Sequence, residues 1–196
     1  MKNSEWGAVA YLTQSTYGKN SEVWINPNSN YITGQAGTRR DASYTTSTYA
    51  YTDTTYGVNA STTGNVTGIY DMSGGAWEYV AAYVNNGNGN LSRYGSNLVN
   101  GAAKTKDVYS TSSDSESNNY NAAASVYGDA VYETSSNING SYSWYGEDSC
   151  FPYSGFPFFL RGGDFSATTR AGLFCFYVSN GYGGSSYGFH PVLVVL

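Results

Sequence analysis

Along the chain, short patches with regular apolar spacing alternate with long stretches in which Ser, Thr, Asn, Gly and Tyr crowd out aliphatic residues. In the first patch, Asn3-Ser4 offers an N-cap before Glu5, and Trp6, Val9, Ala10 and Thr13 recur at helical spacing. A helix is therefore predicted here, ending near Gly18, whose neighbours Tyr17 and Lys19 suit a helix exit. Glu22-Val23-Trp24-Ile25-Asn26 reads as a short strand stopped by Pro27. From Ser29 to Thr63 almost no aliphatic residue occurs, which predicts a long surface excursion. Asn65 to Val80 interleaves apolar residues with glycines and is expected to form the centre of the fold. Asn85 to Ser125 is again polar and is predicted irregular, with a solvated acidic stretch at Ser113-Asp114-Ser115-Glu116. Trp144-Tyr145 and the aromatic run Phe151 to Leu160 then lead into Arg161-Gly162-Gly163. Val192 to Leu196 is apolar and β-branched, which predicts a buried terminal strand. Few helices and short strands among extensive irregular loops make this an α+β chain without an internal repeat.

At 196 residues the chain is long enough for one domain with a real core. Only 12% of its residues are charged, yet an aromatic content of 17% supplies the apolar surface that a disordered chain lacks. Net charge is −5 and the largest basic cluster is the Arg39-Arg40 pair, so the electrostatic footprint of a nucleic-acid binder is missing. No stretch approaches the apolar length of a membrane span, and the N-terminus carries no basic-then-apolar leader. The chain reads as soluble, with no membrane partner. Cys150 and Cys175 stand at no metal-binding spacing and leave a disulfide open without requiring one.

Composition changes the picture most at the C-terminus. Ser149 to Leu196 contains no Lys, Glu, Gln, Met or Trp, although these types occur 18 times in the preceding 148 residues. Proportion alone would place about six in the tail. The region has a restricted chemistry and is crowded with Tyr, Phe, Ser, Gly and Asn, which suits a surface made for presentation.

Three segments carry a resemblance that spans most of the chain. They are Asn3 to Ala10, the stretch Gly68-Ile69-Tyr70-Asp71-Met72-Ser73-Gly74-Gly75-Ala76-Trp77-Glu78-Tyr79, and Arg161-Gly162-Gly163 with Gly188-Phe189-His190-Pro191-Val192. Together they resemble the formylglycine-generating-enzyme (sulfatase-modifying factor) branch of the C-type lectin fold, which implies a single lectin-like domain over residues 1–196. The resemblance also implies strands upstream of the first helix that this sequence does not contain. More finely, Lys2 to Leu12, Ser61 to Asn65 running into Asp71 to Val80, and the aromatic-Arg-Gly-Gly ending resemble variable proteins of diversity-generating retroelements. In that family a reverse transcriptase rewrites adenines in the C-terminal coding segment, chiefly at AAY codons. Such codons change widely but never to Lys, Glu, Gln, Met or Trp, which is the set missing here.

The resemblance bears on chemistry in two ways. The oxidase of the parent family needs two cysteines five residues apart after the Gly-Gly pair, where thiolates hold copper. Ala167 and Gly172 occupy those places and Cys175 lies beyond them, so no copper and no catalysis are expected. His190 is the only histidine and stands where the family has Arg; its plain reading is a packed or hydrogen-bonded residue. A structural calcium is implied instead at Asp71, Gly74, Ala76 and Glu78, where hard oxygen ligands and a tight wrap suit that ion. The plain alternative is a turn capped by Asp71, with Glu78 accepting backbone hydrogen bonds.

Within the implied hypervariable region, residues 158–190, some positions read as scaffold and others as displayed. Phe158, Phe159, Arg161, Gly162, Gly163, Ala171, Gly172, Phe174, Phe176, Gly181, Gly188 and Phe189 read as scaffold. The displayed set is Asp164, Phe165, Ser166, Thr168, Thr169, Arg170, Cys175, Tyr177, Val178, Ser179, Asn180, Tyr182, Ser186 and Tyr187. Tyr and Phe beside Ser, Asn and Gly is also how antibody loops combine rigid anchors with adaptable contacts. The expectation is a non-enzymatic recognition domain for a protein ligand, with a glycan as the alternative, presented on a cell surface, pilus or phage particle. A divergent oxidase and an invariant surface or pilus subunit are the competing readings.

Overall fold

In a computed structural model, which describes residues 1–25, 29, 33–40, 46–110 and 114–193, the chain is mixed α+β with few helices and a small open sheet. Helix α1 spans Asn3–Gln14 and is capped by Lys2, whose amide donates to Glu5 Oε2 at 2.8 Å. Asn3 is buried instead of capping, with its Nδ2 2.7 Å from the Tyr109 hydroxyl. The helix ends at Gln14, short of Gly18. That glycine folds back onto the last turn so tightly that a Cβ would sit 2.1 Å from the Leu12 carbonyl oxygen.

A hairpin of β1 (Gly37–Arg40) and β2 (Thr46–Thr48) follows. The main sheet is built on β3 (Trp77–Val84), flanked on one edge by β5 (Phe158–Gly162) and then β6 (Gly172–Ser179), both antiparallel to their neighbours. Its other edge is shared by β4 (Asp107–Tyr109), parallel along Ala82–Val84, and β7 (Tyr187–Gly188), parallel along Trp77–Glu78. Two further helices, α2 (Gly89–Asn100) and α3 (Glu116–Ala122), lie between β3 and β5 in the sequence.

One face of the sheet buries Val80, Ala82, Val84, Phe159, Phe174 and Phe176 against Trp6 and Ala10 of α1. Each fully buried apolar side chain of this kind contributes roughly 1.5–3 kcal/mol. Arg161 is also fully buried here, with Nη2 donating to the Ala130 and Leu173 carbonyls and the guanidinium 5.6 Å from the Trp6 ring. Trp6 Nε1 donates to that same Leu173 carbonyl at 2.7 Å, so Trp6 and Arg161 share one acceptor. The second face carries a smaller cluster in which α2 covers Tyr83 and Phe158 through Leu91, Leu98 and Val99.

Several expectations are corrected. Glu22 to Ile25 form no strand; Val23 packs into the core and Trp24 donates its amide to Asn59, while Asn26 and Pro27 lie outside the described residues. The stretch after Ser29 is not wholly a surface excursion, because Val58, Ala60, Ser61 and Thr62 are buried. The segment predicted irregular from Asn85 holds α2, β4 and α3. Of the acidic stretch, Asp114 and Ser115 are exposed, but Glu116 accepts from the Phe151 amide at 2.8 Å; Ser113 lies outside the described residues. The terminal strand is absent over Val192 and Leu193, which is 91% exposed, and Val194 to Leu196 lie outside the described residues. The reason is at the sheet edge: between β7 and β4 the Ala81 amide is already bonded to the Met1 carbonyl.

Candidate functional site

The part of the second sheet face that α2 leaves open is an aromatic surface. Strand pairing aligns Tyr79, Leu160 and Tyr177 across β3, β5 and β6, and Trp77 shares the face two residues before Tyr79. Three ring pairs cross it: Trp77 with Tyr177 at 5.2 Å, Tyr79 with Tyr187 at 5.4 Å, and Tyr94 with Tyr182 at 6.4 Å. Each pair joins one ring of the tail to one ring from outside it. Tyr177, Tyr182 and Tyr187 remain exposed despite these contacts.

A turn after β6 is fastened to this face. Tyr79 Oη donates to the Tyr182 carbonyl at 2.8 Å and also bonds Ser179 Oγ, which accepts from the Gly181 amide at 3.1 Å. Burial raises the Tyr79 hydroxyl above its ordinary value, so it stays a donor at neutral pH. Gly181 has φ +95, and a Cβ there would lie 2.6 Å from Phe158 and 2.7 Å from Tyr94. On the other side, Asp164 Oδ1 accepts from the amides of Ser166 and Ala167 and from Ser166 Oγ, shaping the turn that carries Thr168, Thr169 and Arg170. Arg170 reaches back to the buried Asp148 at 3.2 Å with its own side chain half exposed. The Phe165 amide donates to the Gly75 carbonyl at 3.1 Å.

Twelve of the fourteen residues predicted to be displayed are exposed or half exposed. Cys175 and Ser179 are not. Cys175 is fully buried because residues 148–150 pair along β6, with the Phe176 amide bonded to Asp148 and its carbonyl to Cys150. Ser179 turns inward to Tyr79. Phe189, read as scaffold, is 72% exposed, because β7 ends at Gly188. Both cysteines are free thiols. The sequence reading missed Trp77, Tyr79 and Tyr94 as parts of the face. The alternation of Trp77 and Tyr79 carried a signal for the first two, whereas Tyr94 sits in a helix that composition hides.

Among the described residues the tail reaches three cavities: one of about 310 Å³ beside Tyr94 and Gly181, which no displayed residue lines, one of about 430 Å³ at Phe165 and Ser186, and one of about 230 Å³ at Arg170 and Tyr177. The second is also lined by all four positions of the implied calcium site, Asp71, Gly74, Ala76 and Glu78. Consecutive left-handed residues, Gly74 at φ +72 and Gly75 at φ +71, make the wrap that brings them together. Asp71 Oδ1 accepts from the Tyr51 hydroxyl, and Glu78 Oε2 from His190 Nδ1 at 2.7 Å, so one oxygen of each carboxylate is engaged. His190 Nε2 faces the Tyr70 carbonyl at 3.0 Å; with acceptors on both ring nitrogens, and chiefly through the Glu78 bond, its pKa is raised. Among the described residues no three His, Cys, Asp or Glu side chains gather as a metal site. A cation here would depend on backbone oxygens beside the two carboxylates, a donor set of the kind calcium accepts.

Among the described residues no helix is long and apolar enough to cross a membrane. No family model, curated protein or solved structure matches the chain.

Proposed function

We propose that this chain is a non-enzymatic recognition domain, with the formylglycine-generating-enzyme type of C-type lectin fold, whose C-terminal tail presents a surface diversified by a retroelement. The observation that carries the reading is the exposure of three displayed tail rings, Tyr177, Tyr182 and Tyr187, on one open aromatic face, each backed by a ring from outside the tail. Exchanging a side chain on an exposed face costs little stability, while backing rings hold the positions that vary. Exposed Tyr next to Ser, Asn and Thr supplies rigid anchors with adaptable polar contacts, a combination suited to a protein ligand. A calcium held by Asp71, Gly74, Ala76 and Glu78 would brace the loop under Phe165 and Ser186, taking no part in ligand chemistry. Presentation at a cell surface, pilus or phage particle accords with such a role.

The deciding experiment is sequencing of the DNA around the coding region. A reverse transcriptase gene and a near-copy repeat that differs from codons 158–190 mainly at adenines are expected. A repeat absent, or differing without adenine bias, would remove the diversification claim.

A further inference from the structure

The cavity beside α2 differs from the other two that touch the tail, because its walls come almost wholly from outside the tail's displayed positions. Tyr79 from β3, Tyr94, Gly95 and Leu98 from α2, and Phe158 from β5 enclose it, with Gly181 as the contribution of the turn. Gly181 admits no side chain, since a Cβ would collide with Phe158 and Tyr94. Gly95 is equally constrained: it leaves helical geometry at φ −118, ψ 18, and a Cβ there would lie 2.5 Å from Phe158. Two glycines thus clasp the Phe158 ring and keep the chamber open. No displayed side chain of the tail is itself a wall, although Ser179, Tyr182 and Tyr187 touch Tyr79 and Tyr94 from outside the chamber.

We infer that this chamber is a constant anchor pocket for an uncharged aromatic side chain of a protein partner, bordered by variable residues that choose among partners. The inference rests on the recognition role proposed for the face. A volume of about 310 Å³ accommodates a side-chain ring, and the walls are ring and aliphatic surface with no charged side chain among them. Ser96 and Asn97 supply polar groups suited to one hydroxyl or ring N–H. A sugar fits poorly, because several hydroxyls would be desolvated against few side-chain partners. The pocket is continuous with the variable face, since Tyr79 also holds the Tyr182 carbonyl and Tyr94 meets the Tyr182 ring.

The test uses the full chain and three probes, N-acetyltryptophanamide, N-acetyltyrosinamide and methyl β-glucoside, titrated while the Gly95 and Gly181 amide resonances are followed. Saturable shifts with the aromatic amides are expected, with dissociation constants on the order of a millimolar. Ser96→Trp, at an exposed rim position, places a ring over the mouth and should weaken binding at least about tenfold, with Asn97→Trp as the substitute if the first fails to fold. Tyr127→Ser, at an exposed position outside the face, should leave it within roughly twofold. Shifts with the glucoside alone, no shifts with either aromatic amide, or aromatic binding that survives the rim tryptophan would overturn the inference. So would loss of binding in Tyr127→Ser. The recognition reading fails separately, because the template repeat is read from DNA and the pocket from the purified chain.

Discussion

Tyr79 Oη donates to the Tyr182 carbonyl across 2.8 Å, joining the central strand to a turn 103 residues later in the chain. The same hydroxyl bonds Ser179, so a single oxygen orients the turn that carries Asn180 and Tyr182. Tyr79→Phe preserves the ring and its contact with Tyr187 while removing both bonds. A cost of about 1 kcal/mol is expected, read as roughly fivefold faster hydrogen exchange at the Gly181 amide with little change across β5. Unaltered exchange at Gly181 would show that the turn is held by other means.

Scaffold and displayed positions in the tail should separate in a stability measurement. Gly181→Ala forces an L-residue into φ +95 and drives a methyl into Phe158 and Tyr94, so a loss of about 2–4 kcal/mol is expected in urea unfolding. Tyr177→Ser and Tyr187→Ser, on the open face, should each cost about 1 kcal/mol or less. Comparable losses at all three positions would mean that the tyrosines are structural and the face is not free to vary.

Helix α1 was legible because Trp6 and Ala10 repeat at its period, whereas the central strand, which begins at Trp77 inside the segment expected at the centre of the fold, was not marked as a strand because glycines interrupt the apolar residues before it. Helix α2 was not, since Gly89 and Gly95 disguise a helix that stands on Leu91, Leu98 and Val99. Val192 and Leu193 lie outside the sheet for a reason no local pattern carries, namely that at the adjoining edge the Met1 carbonyl already holds the Ala81 amide. Composition marked the tail as a surface, yet Cys175 and Tyr177 share strand parity and only one is exposed. The cover over Cys175 comes from residues 148–150, whose pairing with β6 is invisible in the tail itself.

Neither thiol should react in the native state. Cys175 is fully buried and Cys150 nearly so, and burial raises both thiols above their ordinary value, so little thiolate forms. Ellman's reagent is expected to find no reactive thiol in the folded protein and both after denaturation, with an unfolding temperature indifferent to reductant. A reductant-dependent unfolding temperature would show that the thiols are bonded to each other.

A buried carboxyl pair lies beneath β6, where Glu147 is fully buried beside Glu22. Burial raises Glu147 well above the ordinary carboxyl value and the neighbouring Glu22 raises it further, while the Phe174 amide, Arg161 and the Cys175 amide offset part of the effect. Glu22 is raised in turn, again chiefly by burial. The folded chain therefore keeps protons that the unfolded chain releases above about pH 4.5. Stability contributed by this pair falls as pH rises from there through the raised values. Glu147→Gln keeps the shape and removes the titration. Relative to the unsubstituted chain it should gain about 2 kcal/mol at pH 8 and little or nothing at pH 4.5, in urea unfolding at the two pH values. An equal difference at both would mean that Glu147 titrates alike in the folded and unfolded chain, and that the buried pair exerts no pH-dependent strain.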